Sequence, residues 1–342
     1  MSTGTSKRPT MRDVAEVAGV SHALVSLAYR KPEKVSPERR ERIFQAAETL
    51  GFRRNWVASS LSAYASSFTG ILVANLHNPV FSTIVEAARA ELDSVGRYSL
   101  MSSAVMPNRD GSYRADLRIV QSFEDLNAAG YLVVGVIPDI SILREVRPDV
   151  PIVVAAASIE EFPRALSVRT DNEIGMQQLI SHFVEQGHSK IAHLGGAGGP
   201  AARRRAAAYE KAMRDAGLES EARVIPAEFT EESGRDAFAQ LLTEAPDTTA
   251  VSCVNDLVAL GAMSAARTAG LRVPEDIAIA GYDNTFLAGI EAIGLTTVDT
   301  EAAEIGRIAA SWLAADEPPP AGTEHLVPPK LVVRRSTLNT SR

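Results

Sequence analysis

Residues 10–30 read TMRDVAEVAGVSHALVSLAYR, two short helix-like patterns that meet at AGVS (18–21). Thr10 followed by Asp13 is a capping-box start, placing a first helix from about Met11. Val14, Ala15 and Val17 give it an apolar face, and Gly19 can end it by adopting positive φ. Ser21 caps a second helix over roughly 22–29. Downstream, Ser36-Pro37-Glu38 combines a cap, a first-turn proline and an acid at the positive helix end. That third helix runs to about Leu50, with Ile43, Ala46, Ala47 and Leu50 inward, and Gly51 stops it. Three short helices with a tight turn between the first two make a helix-turn-helix module. The second helix of such a module enters the DNA major groove with its first residues at the base edges. Here that helix is nearly free of charge. Ala23 lets the backbone approach, His22 is placed to touch a base edge, and the capped starts at Thr10 and Ser21 offer N–H groups to phosphates. A plain exposed histidine at a helix start is the competing reading of His22.

Charge supports a polyanion partner for this end of the chain. The 342 residues carry a net charge of −7. Residues 1–62 hold eleven Lys/Arg against six Asp/Glu, a net of +5 that leaves −12 for the remainder. A basic head on an acidic body points to nucleic acid at the head only; a solvated surface bias would give the same balance. The length exceeds one typical domain, and 45% apolar residues suffice for a sizeable core. There is one cysteine, Cys253, hence no internal disulfide and no cysteine-based metal site. No apolar run approaches bilayer length and the N-terminus lacks the apolar stretch of a signal peptide, so a cytoplasmic protein with no membrane partner is expected.

Beyond Ser66-Ser67 the pattern changes. GILVANL (70–76), YSLMSSA (98–104), GYLVVGVI (130–137) and PIVVAAAS (151–158) are short apolar runs suited to buried parallel strands, with helices expected at about 81–96 and 113–129. The same order restarts at SKIAHLGG (189–196). It continues through a helix at about 202–217, RVIPAEF (223–229), AVSCVND (250–256), a helix at about 257–269 and IAIAGYD (277–283). This is α/β order in two halves, each a doubly wound parallel sheet, with ligands expected at strand carboxyl ends in the cleft between them.

The stretches TMRDVAEVAGVSHALVS and VSPERRERIFQAAETLGFRRNWVASSL (35–61) resemble the DNA-binding head of the lactose/galactose-repressor family of bacterial transcription regulators. NPVF (78–81), RTDNEIG (169–175), EQGHSKIAHLGG (185–196), VND (254–256), VPEDIAIAGYDN (273–284), LTTV (295–298) and LVVRRST (331–337) extend the likeness over about residues 8–338, to a periplasmic-binding-protein-like body. The resemblance implies a DNA-binding domain at 1–54, a hinge helix and linker at 55–66, and an effector-binding and dimerisation body at 67–338. The body would have an N-lobe at about 67–162 and a C-lobe at about 163–290, crossing back near 295. It implies base reading by His22 and Ala23, with Ser26 and Arg30 on the same helix as further DNA-facing residues. Asn55 would cap a hinge helix that orders on DNA, with Leu61 wedged into the minor groove and Arg54 at a phosphate.

In the body, the resemblance implies that Phe81 stacks on the ligand and Arg205 makes a forked contact to its oxygens. Asn255 and Asp283 would bind hydroxyls or ring nitrogens, and Asp171 would line the cleft or simply cap a helix. The remaining alternatives are core packing for Phe81, a solvated helix face for Arg203 to Arg205, and turn formation for Asn255 and Asp283. Several positions depart from the family pattern: Leu24 replaces threonine, Leu27 an arginine and Arg54 a proline. Ala155-Ala156-Ala157 lacks a usual polar side chain, Asn75 replaces aspartate, and His77 a small polar residue.

The function implied is a non-enzymatic transcriptional repressor without metal or cofactor. It would work as a homodimer on pseudo-palindromic double-stranded operator DNA and be controlled by a sugar-like or related metabolite. Ending at RRSTLNTSR, without a further leucine-rich helix, the chain is expected to form a dimer. Two other classes compete. GGAGGPAA (195–202) contains a Gly-x-Gly-x-x-Ala fingerprint of nicotinamide enzymes, but the acid expected roughly 20 residues on has only Glu219 and Glu221 as loose candidates. A solute-binding protein fits the body but not the head. His182, His188 and His193 lack zinc-site spacing.

Overall fold

The computed structural model describes residues 9–30, 32–52, 68–109, 113–159 and 162–338, leaving the side chain of Arg30 undescribed. It divides into two compact units, 1–66 and 67–342. The hinge residues Arg54, Asn55 and Leu61 lie outside the described residues.

In the first unit, α1 (Met11–Ala18) begins with the capping box: Asp13 N–H donates to Thr10 Oγ1 while Thr10 N–H donates to Asp13 Oδ2 at 2.6 Å. Gly19 ends it at φ 62°. Helix α2 (His22–Arg30) is capped by Ser21, whose Oγ accepts from Leu24 N–H at 3.2 Å. Helix α3 (Pro37–Thr49) starts on Pro37, but Ser36 makes no side-chain cap bond, so the proline and the acid carry that start alone. The core is small: Val14, Ala15, Ala18, Val25, Ala28, Val35, Ile43, Ala46 and Ala47, edged by Tyr29 packed against Phe44 and Phe52. Val17, expected inward, is 57% exposed, because the buried stripe of α1 passes through Val14, Ala15 and Ala18.

The second unit has two six-stranded sheets. The first holds β1 (Phe68–Val73), β2 (Tyr98–Ser103), β5 (Gly130–Val134), β6 (Ile152–Ala155), β7 (Leu166–Thr170) and β13 (Glu324–Val327), in the order β13-β7-β6-β5-β1-β2, all parallel. The second holds β8 (Ile191–Gly196), β9 (Arg223–Ala227), β10 (Ala250–Cys253), β11 (Ala278–Asp283), β12 (Thr296–Asp299) and β14 (Lys330–Val332), in the order β14-β12-β11-β10-β8-β9. Helices α4 (Pro79–Ser94), α5 (Leu117–Asp125) and α10 (Ala302–Ala314) belong to the first lobe. Helices α6 (Asn172–Glu185), α7 (Pro200–Asp215), α8 (Glu231–Glu244) and α9 (Asp256–Thr268) belong to the second.

Two expectations need correction. The changeover does not fall near 162–163: β7 pairs with β6, so the chain crosses after Thr170. It returns between Asp299 and Ala302 to place α10 on α4, and crosses again between Val327 and Lys330. The single helix expected at about 113–129 is instead two elements. Tyr113–Ala115 forms β4, antiparallel to β3 (Val105–Pro107), and Asp116 then caps the shorter α5 by accepting from Arg118 N–H. The α4–α10 contact is close enough that a Cβ on Gly306 would sit 2.2 Å from the Ile84 carbonyl oxygen.

Candidate functional site

On the head, the first residues of α2 face solvent. Ser21, His22 and Ala23 are exposed, Ser26 is half-buried, and Val25 and Ala28 hold the helix down. Leu24 and Leu27, which stand where the family pattern has polar residues, are half-buried and pack on the head core. The exposed, uncharged start of α2 therefore remains available for close approach, with His22 as its polar tip.

In the body, a cavity of about 580 Å³ opens between the lobes at the carboxyl ends of β1, β5 and β6. Its volume suits a small molecule. Phe81, half-buried in the first turn of α4, forms part of its apolar wall; Gly135 opposite must lack a side chain, since a Cβ there would lie 2.6 Å from the Phe81 ring. Across from it stands Arg205 of α7. Its Nη2 donates to Asp283 Oδ1 at 3.0 Å, its Nε to Asn172 Oδ1 at 3.2 Å and its Nη1 to the Val254 carbonyl. The guanidinium lies 3.9 Å from the centroid of the Tyr282 ring, a cation–π seat. The arginine run resolves by helix geometry: Arg203 is exposed, whereas Arg204 and Arg205 line the cavity.

Asp283 is 5% exposed, and burial pushes its carboxyl up against the opposing pull of Arg205 and of a hydrogen bond from Asn78. The backbone is strained where it meets the cavity. Ala156 has φ 60°, Asp283 φ 104° and Asn284 φ 51°. Asn284 is held by Arg334 Nη2, which donates to its Oδ1, and by its own Nδ2 donating to Asp299, both at 2.8 Å.

Two expected residues do not line the cavity. Asp171 is spent as the cap of α6, its Oδ1 accepting from Glu173 and Ile174 N–H; its neighbour Asn172 is the residue that reaches Arg205. Asn255 is 1% exposed and caps α9 through Val258 N–H, leaving its Nδ2 without a partner among the described residues. Strand-end position alone does not separate a cap from a pocket residue. The sequence reading also missed Asn78, Arg169, Arg204 and Phe229, which line the cavity. Asn78 and Arg169 lay in quoted landmarks and Arg204 in the arginine run, while Phe229 was marked only as the end of a strand. Asn75 turns back to accept from His77 N–H, and His77 lines the cavity.

The three histidines left aside as metal ligands each meet a hydroxyl: His182 with Thr337, His188 with Thr249 and His193 with Ser252. His193 is fully buried, and burial, assisted by Arg205, pushes it down to about 3, so it is neutral. Behind the cavity, Asp256 is also fully buried and accepts from Thr285 N–H, Thr285 Oγ1 and Thr297 Oγ1. Burial, then the charge of Asp283, pushes it up to about 7. A carboxyl raised on folding stabilises the fold at low pH, and that contribution is lost as pH rises through about 7. Urea unfolding should therefore show stability falling between about pH 4 and about pH 7.5, with no further fall from this group above that. Asp256→Asn should flatten that slope; an unchanged slope would remove Asp256 as its source.

Comparison with known proteins follows the same division. Residues 10–55 match the model for bacterial regulatory proteins of the lacI family, and residues 180–337 match a periplasmic binding protein-like domain. The HTH-type transcriptional repressor CytR of Escherichia coli (strain K12) is 32% identical over 304 residues, covering 87% of this chain and 86% of that protein. This chain belongs to the lacI family of bacterial regulatory proteins. The HTH-type transcriptional regulator DegA of Bacillus subtilis is 28% identical over 342 residues, covering 97% of this chain and all of that protein. A crystal structure of the lac repressor dimer bound to operator and the anti-inducer ONPF superposes with a TM-score of 0.81 at 28% identity, covering 97% of this chain and 100% of that one. The lacI-family chain is thus a DNA-binding transcriptional regulator and not an enzyme. No helix among its described residues is long and apolar enough to cross a membrane.

Proposed function

We propose that this lacI-family regulator is a repressor acting as a homodimer on a pseudo-palindromic operator, with a small-molecule effector in the cavity between the body lobes setting operator affinity. One observation carries the reading. The same chain joins a capped helix-turn-helix with an exposed, uncharged recognition start to a cavity lined by Phe81 from one lobe and by the Arg205–Asp283 pair from the other. An aromatic wall opposite a forked cation and a carboxylate suits a small ring bearing hydroxyl or ring-nitrogen groups, a sugar-like molecule or a related metabolite. Asn255, outside the cavity lining, keeps a buried amide without a partner among the described residues and would serve as a further donor, and Asp171 supports Asn172 from its cap. His22, Ala23, Ser26 and Arg30 read the half-site, with Thr10, Ser21 and Arg54 at phosphates. Its place of action is the bacterial cytoplasm, at the nucleoid.

Control follows from linkage. An effector changes operator affinity only by its differential affinity for the DNA-competent and incompetent arrangements of the body. The experiment is operator titration of the full-length protein with and without candidate effectors. Leu61→Ala, removing the wedge at the hinge, should weaken specific operator binding by about 1–3 kcal/mol, an order typical of a lost base-step contact. Effector binding measured by calorimetry should be unchanged; equal loss of both would refute the wedge role.

A further inference from the structure

Two adjacent arginines on α7 act on opposite lobes. Arg205 stays within the second lobe, on Asp283, Val254, Asn172 and Tyr282. Arg204 instead reaches the first lobe, its Nη1 donating to Ser158 Oγ at 2.5 Å. Ser158 follows directly on Ala155-Ala156-Ala157, the strand end that lacks a polar side chain of its own. That strand end is held firmly: Ala156 N–H donates to the Val168 carbonyl, and Ser167 Oγ donates to the Ala157 carbonyl at 2.7 Å. Arg204 also sits close enough to first-lobe Glu324 to help Arg169 hold that carboxyl below its ordinary range.

Asn78 of the first lobe also lies near enough to Asp283 of the second to help lower its carboxyl. Asn78 follows β1 and Ser158 follows β6, and β5 lies between those strands in the sheet. The two points of approach thus stand two strands apart, about 10 Å.

We infer that the Arg204–Ser158 bridge is the latch that sets how far the two lobes close over the cavity, making Arg204 the positioning residue for effector control. In its consequence for effector control, this rests on the reading of the cavity given above. Arg205 reads the bound molecule and its own lobe, while Arg204, one residue earlier on the same rigid helix, carries any movement of that helix to the opposite lobe. A molecule that seats on Arg205 without displacing Arg204 holds the lobes together. One bulky enough to displace Arg204 from Ser158 releases them.

The test uses the full-length protein and no effector. Nitroxide labels at Asp125→Cys in the first lobe and Glu244→Cys in the second report the interlobe distance by pulsed electron resonance. Both positions are exposed, and the native Cys253 is buried. Losing one charge-assisted hydrogen bond should raise the population of the longer distance about tenfold in Ser158→Ala, and at least as much in Arg204→Met, which also removes the pull on Glu324. The double variant should go no further than the larger single effect, and Arg203→Met should match the parent. A residue that merely packs α7 would alter thermal stability without this non-additivity. The inference is overturned if Arg204→Met reproduces the parent distribution, or if the two substitutions add as independent changes. Should Arg204→Met fail to fold, Ser158→Ala decides by the same shift. Because no effector enters, the latch and the effector reading fail separately: the latter falls if Arg205 variants keep a full effector response.

Discussion

Arg205→Ala is expected to abolish the effector response of operator binding while leaving operator binding itself intact. It is also expected to destabilise the body by about 3–5 kcal/mol, the usual consequence of leaving one member of a buried ion pair alone. Asp283, whose side chain is 3% exposed, would lose its ion-pair partner and stay buried. The stability loss could by itself mimic a loss of response, so a second variant separates the two. Adding Asp283→Asn to Arg205→Ala removes the uncompensated charge and should recover much of the stability. It should not restore the response, since the fork that reads the effector is still missing. Urea unfolding measures the first effect, and operator titration with and without effector the second. A double variant that regained both would show that Arg205 serves the fold alone.

Ile43→Ala is expected to unfold the head and leave the body standing. Ile43 is fully buried in a core otherwise made largely of alanine and valine. Removing it should cost about 2–5 kcal/mol, as truncation of a buried isoleucine to alanine does. A three-helix module of this size has little more stability than that in total. The exposed start of α2 owes its position to Val25 and Ala28 packing against this core, so operator binding should vanish with it. Effector binding by the body should persist, because the body has its own cores around both sheets. Circular dichroism would show a partial helix loss at low temperature and a body transition near that of the parent. A single transition shifted as a whole would contradict this separation.

Much of this was legible in the sequence because local chemistry fixed it. The Thr10–Asp13 box, Gly19 and Ser21 each specify backbone geometry within four residues, and the apolar runs of the central strands match buried parallel strands. What failed was non-local. Leu166–Thr170 contains Ser and Arg and reads weakly as a strand; it becomes one because β6 and β13 flank it. Tyr113–Ala115 is pulled out of a helical pattern by pairing with Val105–Pro107. In the cavity, Phe81, Arg205 and Asp283 came together as expected. Asp171 and Asn255 show the limit: a polar residue between a strand and a helix is equally suited to cap the helix, and sequence cannot show which way its oxygens turn. Arg204 was hidden among three arginines until the phase of α7 separated them.

The central claim is that the head reads specific DNA and the body modulates that reading. It is tested most directly by selecting genomic fragments, at near-physiological salt, with the full-length protein and with a variant lacking residues 1–66. Salt must be fixed because phosphate contacts alone give sequence-independent binding. The account predicts that only the full-length protein enriches one or a few palindromic sites, and that metabolite extract changes that enrichment. Enrichment of no site by the full-length protein, with and without extract, or equal enrichment by both proteins, would contradict it.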